Sequence, residues 1–272
     1  MKLHPLSLTQ ASFYMALCLL SVLLSPYSEA SDSIKTCDKV VLSGPPNLPP
    51  VVWTDYKTMK GAATDLLTQT LAEHNIATST EHLGGYRRVL RAMEEGRIAM
   101  TVGITRDKFP EGVASFSDTP LYNHALTILV KRDMVEKPQE IRDLLELKGA
   151  MPDQLAVEDI FGAHSPKHLM RTFTPNLALK MLAIGRVDYT IYPDMQDDLF
   201  VSLMNMEGQF EKLPLLSATI PVYVAFSNQL DCALPLDKIN QTLTQAAASK
   251  QAQQTLNDSL YKWMNYQLEK RD

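Results

Sequence analysis

The chain has 272 residues, 45% hydrophobic and 21% charged, with 26 Lys and Arg against 31 Asp and Glu for a formal net charge of −5. That length buries a large core, as one domain or as two lobes of ordinary size. The mild acidity, with no basic stripe, argues against a nucleic-acid binder, and low-complexity segments and heptad runs are absent. At the amino end Lys2 precedes an apolar run, Ala11 to Leu24, shorter than the roughly 20 residues a membrane span needs. Ser28 and Ala30 suit signal-peptidase cleavage before Ser31. Leu17 stands before Cys18 where a lipoprotein signal has a small residue, so residues 1–30 predict a cleaved secretory signal and an exported product without lipid.

The mature chain alternates strand and helix patterns. Lys39 to Leu42 predicts a strand, followed by a Pro-rich loop from Gly44 to Pro50, and extended structure resumes over Val51 to Trp53. Gly61 opens a helix with the stripe Leu66, Leu67 and Leu71, and Ile76 to Thr80 is a weak strand. Next comes a unit that occurs twice. Helix Tyr86–Glu95 runs through Gly96-Arg97 into strand Ile98–Val102, and helix Asn176–Ile184, introduced by Thr174-Pro175, runs through Gly185-Arg186 into strand Val187–Tyr192. In both, Gly stands where a helix needs a left-handed C-terminal residue, and apolar helical spacing gives way to β-formers. Two such units predict two similar α/β lobes, with a crevice between them suited to a small molecule. Ala125 to Val130 and Ile220 to Phe226 predict further strands. Helices are expected over Ile141–Leu147, Pro166–Thr172, Pro235–Ala248 and Gln251–Met264, the last two with stripes of Ile239 and Leu243, and of Leu256, Leu260 and Trp263.

Cys37 and Cys232 remain after cleavage, an even pair compatible with a disulfide in an oxidising compartment. No CxxC motif is present. His164 and His168 have an i, i+4 spacing, but Ser165-Pro166 between them marks a loop rather than a metal-binding helix face. No metal or cofactor is expected.

The order of these pieces resembles the periplasmic solute-binding proteins of the polar amino-acid transporter type, extracellular solute-binding family 3. The resemblance spans Val40 to Trp263 and rests on Gly61-Ala-Ala-Thr-Asp65, Val102-Gly-Ile-Thr105, Phe116-Ser-Asp-Thr-Pro-Leu-Tyr122, Gly185-Arg-Val-Asp188, Val222-Tyr-Val-Ala-Phe-Ser227 and Lys238-Ile-Asn240. It implies a two-lobed α/β fold, each lobe a mixed sheet flanked by helices, joined by a two-stranded hinge. Lobe 1 is expected over 31–122 plus 223–272 and lobe 2 over 123–222, with Cys37 and Cys232 both in lobe 1.

The resemblance also implies ligand contacts. Gly103 and Thr105 match the family's Gly-x-Thr turn. The carboxylate-clamping Arg has no clear counterpart: ungapped alignment puts Pro110 there, a two-residue insertion puts Lys108 there, and Arg106 is near. Asp194, with a one-residue shift, takes the place of the Asp that receives the ligand's ammonium, beside Tyr192. Trp53, Tyr56 and Tyr86 are candidates for the aromatic wall. Thr105 with Arg106 or Lys108 is thus expected to face Tyr192 or Asp194, with Tyr86 or Trp53 alongside. The implied function is a monomeric, periplasmic solute-binding protein that captures a small polar, amino-acid-like ligand for an inner-membrane ABC transporter or a sensor. The alternatives are a cyclohexadienyl-dehydratase-like enzyme on the same fold, for which no acid is marked, and a signalling or interaction protein that has lost the pocket.

Overall fold

The computed structural model describes residues 35–153, 155–215 and 219–270, so the expected signal segment lies outside the described residues. In chain order the elements are β1 (Lys39–Ser43), β2 (Asn47–Leu48), β3 (Val52–Thr54), β4 (Met59–Lys60), α1 (Ala62–Glu73), β5 (Ala77–Thr80), α2 (Tyr86–Glu94), β6 (Met100–Val102), β7 (Ala114–Phe116), β8 (Tyr122–Lys131), β9 (Lys148–Pro152), α3 (Glu158–Phe161), β10 (His168–Thr172), α4 (Pro175–Ala183), β11 (Tyr189–Pro193), α5 (Asp194–Leu203), β12 (Phe210–Leu213), β13 (Thr219–Val222), β14 (Val224–Ser227), α6 (Leu236–Ala248) and α7 (Lys250–Glu269).

Two sheets are built to one plan. The first runs β5-β1-β6-β14-β7 and the second β10-β9-β11-β8-β12. In each, two neighbouring parallel strands are joined by a third that a helix delivers, and a strand that leaves the hinge, β14 or β8, follows antiparallel. The helix–Gly–Arg–strand units supply β6 and β11, and they close alike. Gly96 N–H donates to the Met93 carbonyl and Arg97 N–H to that of Ala92; Gly185 N–H donates to Leu182 and Arg186 N–H to Met181, all within 2.9–3.0 Å. Both glycines have positive φ, 67° and 72°. This Schellman closure satisfies carbonyls that the helix end leaves orphaned, and Gly meets its left-handed geometry without a Cβ clash.

The hinge is the pairing of β8 with β13. Tyr122 to Ala125 lie opposite Val222 to Thr219, while later residues of β8 pair with β11 and β12 in the second sheet. The expected strand Ile220–Phe226 is interrupted at Tyr223, because the chain changes sheets there: β13 belongs to the hinge, β14 to the first sheet.

In lobe 1, Leu66, Leu67 and Leu71 of α1 pack with Ile239 and Leu243 of α6 against Val40, Leu42 and Phe226. The other face is covered by Val89 and Met93 of α2. In lobe 2, Leu144, Met151 and Phe161 cover one face. Leu179, Leu182, Tyr192 and Phe200 cover the other, where Trp53 and Trp263 of lobe 1 join them. One apolar cluster is therefore shared between the lobes. Cys37 and Cys232 are bonded, with S–S 2.04 Å, and tie the start of β1 to the approach to α6.

Two helix expectations fail. Residues 168–172 form β10, whose five residues pair in parallel register with Lys148–Pro152. The run is too short for propensity to resist pairing with an adjacent strand. Residues 141–145 form a 3-10 turn with a Glu140/Asp143 capping box. In addition, α7 runs beyond the expected end at Met264, to Glu269.

Candidate functional site

The loops that leave the carboxyl ends of β1, β5 and β6 in lobe 1 face those that leave β9, β10 and β11 in lobe 2, the usual location of ligand sites in α/β sheets. Among the described residues, spaces open along this cleft at the hinge end, in the middle and at the far end, the last two separated by a seam of about 10 Å³.

The hinge end is nearly filled. Gly103, Ile104 and Thr105 meet Leu155 and Pro193 over a floor of Leu126 and Ile220, leaving about 20 Å³, space for about one water molecule. Gly103 has φ 79°, and a Cβ there would come within 2.9 Å of Leu48 Cδ2.

At the second space, of about 400 Å³, charges of both signs meet across the lobes: Arg87, Asp107 and Lys108 on one side, Asp153, Glu158 and Arg171 on the other, with Tyr86 among them. Burial, the largest influence on Asp107, raises its pKa. Hydrogen bonds from Lys108 and the Thr105 hydroxyl, with the Lys108 charge, outweigh it and hold the carboxyl below its ordinary range. Arg171 donates to the carbonyls of Asp153, at 2.8 Å, and Leu155. Burial draws its guanidinium below the usual range against the opposing pull of Asp153, Tyr86, Asp107 and Glu158.

The third space is a basin of about 510 Å³, well within the range of small-molecule sites. Lobe 1 contributes the β5–α2 loop with His82, Gly84 and Gly85, then Arg88, and also Tyr56, Trp263, Tyr266 and Lys270; lobe 2 contributes Phe173, Thr174, Asn176 and Phe200. Among the described residues, no Asp or Glu lines it. The Lys270 ammonium lies over the rings of Tyr56 and Tyr266, at 4.2 and 4.6 Å. His82 Nδ1 is buried without a hydrogen-bond partner among the described residues. Trp263 and Phe200 meet edge-on at 4.8 Å and join the lobes beneath the basin.

The residues expected from sequence are dispersed along this cleft. Gly103 and Thr105 belong to the hinge end, Tyr86 and Lys108 to the mixed-charge space. Lys108 is paired with Asp107. The Arg106 guanidinium is stacked on Tyr223, at 3.7 Å, and on Phe116, at 4.9 Å, both outside lobe 2. Trp53 is buried, donating through Nε1 to Ser259 Oγ at 3.2 Å. Tyr192 is fully buried and donates to Asn176 Oδ1 at 3.1 Å, so it supports the basin from below. Asp194 is half-exposed and held by Lys212 at 3.2 Å, which withdraws it from the expected ammonium contact. Among the described residues Thr105 thus meets Pro193 at the hinge end, while Lys108 is engaged by Asp107 and Arg106 by the two rings. Of the aromatic candidates, only Tyr56 lines the basin. Arg88, His82, Phe173, Asn176, Tyr266 and Lys270 were not legible as a group: they come from three separate stretches, and the local signals there, the helix starts at Tyr86 and at Thr174-Pro175, mark secondary structure and not a site.

No family model matches the chain, and no curated protein matches its sequence. Solved structures do match. A histidine kinase sensor domain with similarity to periplasmic binding proteins superposes with a TM-score of 0.68 at 18% identity, over 82% of this chain and 96% of that one. The substrate-binding protein of an amino-acid ABC transporter gives 0.63 at 16% identity, over 82% and 99%. An amino-acid ABC transporter substrate-binding protein from Streptococcus pneumoniae bound to L-arginine gives 0.62 at 18%, over 82% and 94%. The chain has the two-lobed fold of the periplasmic binding proteins.

Proposed function

We propose that this protein is an exported solute-binding module that captures a small polar molecule between its lobes and presents it to a membrane transporter or a sensor. The observation that carries this is the basin of about 510 Å³, whose walls come from both lobes and include Arg88, His82, Asn176 and Lys270. A ligand there touches both walls at once, so occupancy favours the closed arrangement of lobes 31–122 plus 223–272 and 123–222. The hinge strands β8 and β13 are the natural axis. Export is supported by the Cys37–Cys232 bridge, which belongs to an oxidising compartment, and by the apolar run and small residues of segment 1–30. Neighbours of the same fold include both a sensor domain and transporter binding proteins, so both destinations stand.

The test is a thermal-shift screen of the purified mature chain against amino acids, organic acids, amines and sugars. A true ligand at about 100 times its Kd adds about 2.7 kcal/mol to native stability. A screen in which no solute of any class stabilises the protein overturns the proposal.

A further inference from the structure

We infer that the basin takes a small organic anion with a flat apolar body, an aromatic carboxylate being the simplest member; this rests on the solute-capture reading above. The charge of the walls carries the argument. Arg88 and Lys270 are the permanent cations on the lining, and no Asp or Glu lines the basin among the described residues. Neither cation has an ion-pair partner among the described residues. Arg88 is exposed, with its guanidinium lying over Gly84: a Cβ at Gly84 would be 3.0 Å from Arg88 Nη2. The Lys270 ammonium is held by two aromatic rings. The carboxylates of the cleft, Asp107, Asp153 and Glu158, gather in the neighbouring space beside Lys108 and Arg171, and Asp153 also meets Gly85 and Phe173 at the seam between that space and the basin.

The backbone adds to the same sign. Helices α2 and α4, nine residues each, both begin at the basin, one from each lobe, through Gly84-Gly85 and Thr174–Asn176. Helix starts favour negative charge. The remaining wall is aromatic: Tyr56, Tyr266 and Phe173 at the sides, Trp263 and Phe200 below. Rings of this kind accept a flat apolar body, while Arg88 takes a carboxylate bidentately. A zwitterion or an amine would bring an ammonium into a space that no carboxylate among the described residues lines, and an unpaired buried charge is costly.

Three probes with one ring separate the charges: phenylacetate is an anion, phenethylamine a cation, phenylalanine a zwitterion. Isothermal titration of the mature, disulfide-bonded chain with each is the experiment. Phenylacetate is expected to bind at least about tenfold more tightly than either of the others, and Arg88→Gln to weaken it about ten- to a hundredfold, the effect of one charged hydrogen bond. Arg88→Lys should restore part of the loss, and the melting temperature without probe, recorded for each variant, separates a lost contact from a misfolded chain. If phenethylamine or phenylalanine binds and phenylacetate does not, the anion assignment is wrong while solute capture stands. Phenylacetate binding that is indifferent to Arg88→Gln in a folded variant overturns the assignment to this basin. If none of the three binds while the wider screen finds another solute, the aromatic-anion class is wrong; if the wider screen is also empty, solute capture falls with it.

Discussion

At the hinge end of the cleft, Gly103, Ile104 and Thr105 approach Leu155 and Pro193 across about 20 Å³; at the far end, Arg88 and His82 look toward Phe173 and Asn176 across about 510 Å³. The same two lobes form both ends, and both are made of loops that follow sheet strands. The hinge end is closed because the residues that reach it are apolar and compact: Leu126 and Ile220 from the crossing strands, Leu155 from lobe 2, Leu48 from the Pro-rich loop. The far end stays open because large rings hold the lobes together beneath it, with Trp263 of α7 against Phe200 of α5. A backbone plan thus fixes where a cleft runs, and the side chains decide which part of it can hold a ligand.

The ring contact is the strongest place to break this contrast. Trp263 is 5% exposed and joins Trp53, Tyr192 and Phe200 in one cluster. Trp263→Ala should cost about 3–5 kcal/mol of stability, read as a lower urea midpoint, and should enlarge the radius of gyration of the folded fraction in solution scattering. A change below about 1 kcal/mol, within reach of a surface substitution, would mean that the rings do not brace the lobes.

Next in size is the bridge that anchors lobe 1 away from both ends. Cys37 and Cys232 are 195 residues apart, and replacing both by Ser should cost about 2–5 kcal/mol. Probe affinity at a temperature where the variant is folded should stay unchanged, because neither sulfur lies near the basin. An affinity loss matching the stability loss would tie the basin to the integrity of lobe 1 as a whole.

Gly103→Ala probes the filled end. Its φ of 79° is unfavourable to a side chain, and the new Cβ would stand 2.9 Å from Leu48 Cδ2 and 3.3 Å from both Pro45 Cγ and Val52 Cγ1. About 1–3 kcal/mol of destabilisation is expected from chemical denaturation. The basin should retain its affinity. Arg88→Gln should do the opposite, keeping stability and losing affinity. If Gly103→Ala abolishes binding in a folded protein, the ligand sits at the hinge end.

Much of the fold was legible because it rests on local chemistry. Gly96 and Gly185 mark their helix ends through backbone geometry, and the strands after them are short runs of β-formers. The two-stranded hinge near Tyr122–Ala125 and Ile220–Tyr223 was legible only through the family resemblance, which Phe116 to Tyr122 helped to carry. What stayed hidden was set by distant partners. Residues 168–172 are a strand because Lys148–Pro152 lies beside them. Asp194 is withdrawn by Lys212 from an edge strand, and Arg106 by two rings that lie ten or more positions away in sequence. Lys270 reaches the basin because α7 continues past its expected end. No spacing rule encodes those encounters.

The smallest effect concerns the space between the two ends, where Asp107 is tied to Lys108 and Thr105. Burial raises the carboxyl pKa, the hydrogen bonds and the Lys108 charge lower it more, and the net displacement is downward. A carboxyl depressed on folding stabilises the native state fully above its unfolded pKa of about 3.9, and that contribution is lost as pH falls through the lower folded value. Asp107→Asn removes the titration. The variant should therefore be less stable than the native chain at neutral pH, and the gap should shrink on acidification below about pH 4. Tyr86, Arg171, Asp153 and Glu158 face the same space and are common to both proteins, so the difference between the two urea-denaturation series isolates Asp107. Its size should be small, because the pair is partly exposed and screened by solvent. A gap that widens toward acid would reverse the sign, and would mean that burial rather than Lys108 governs this carboxyl.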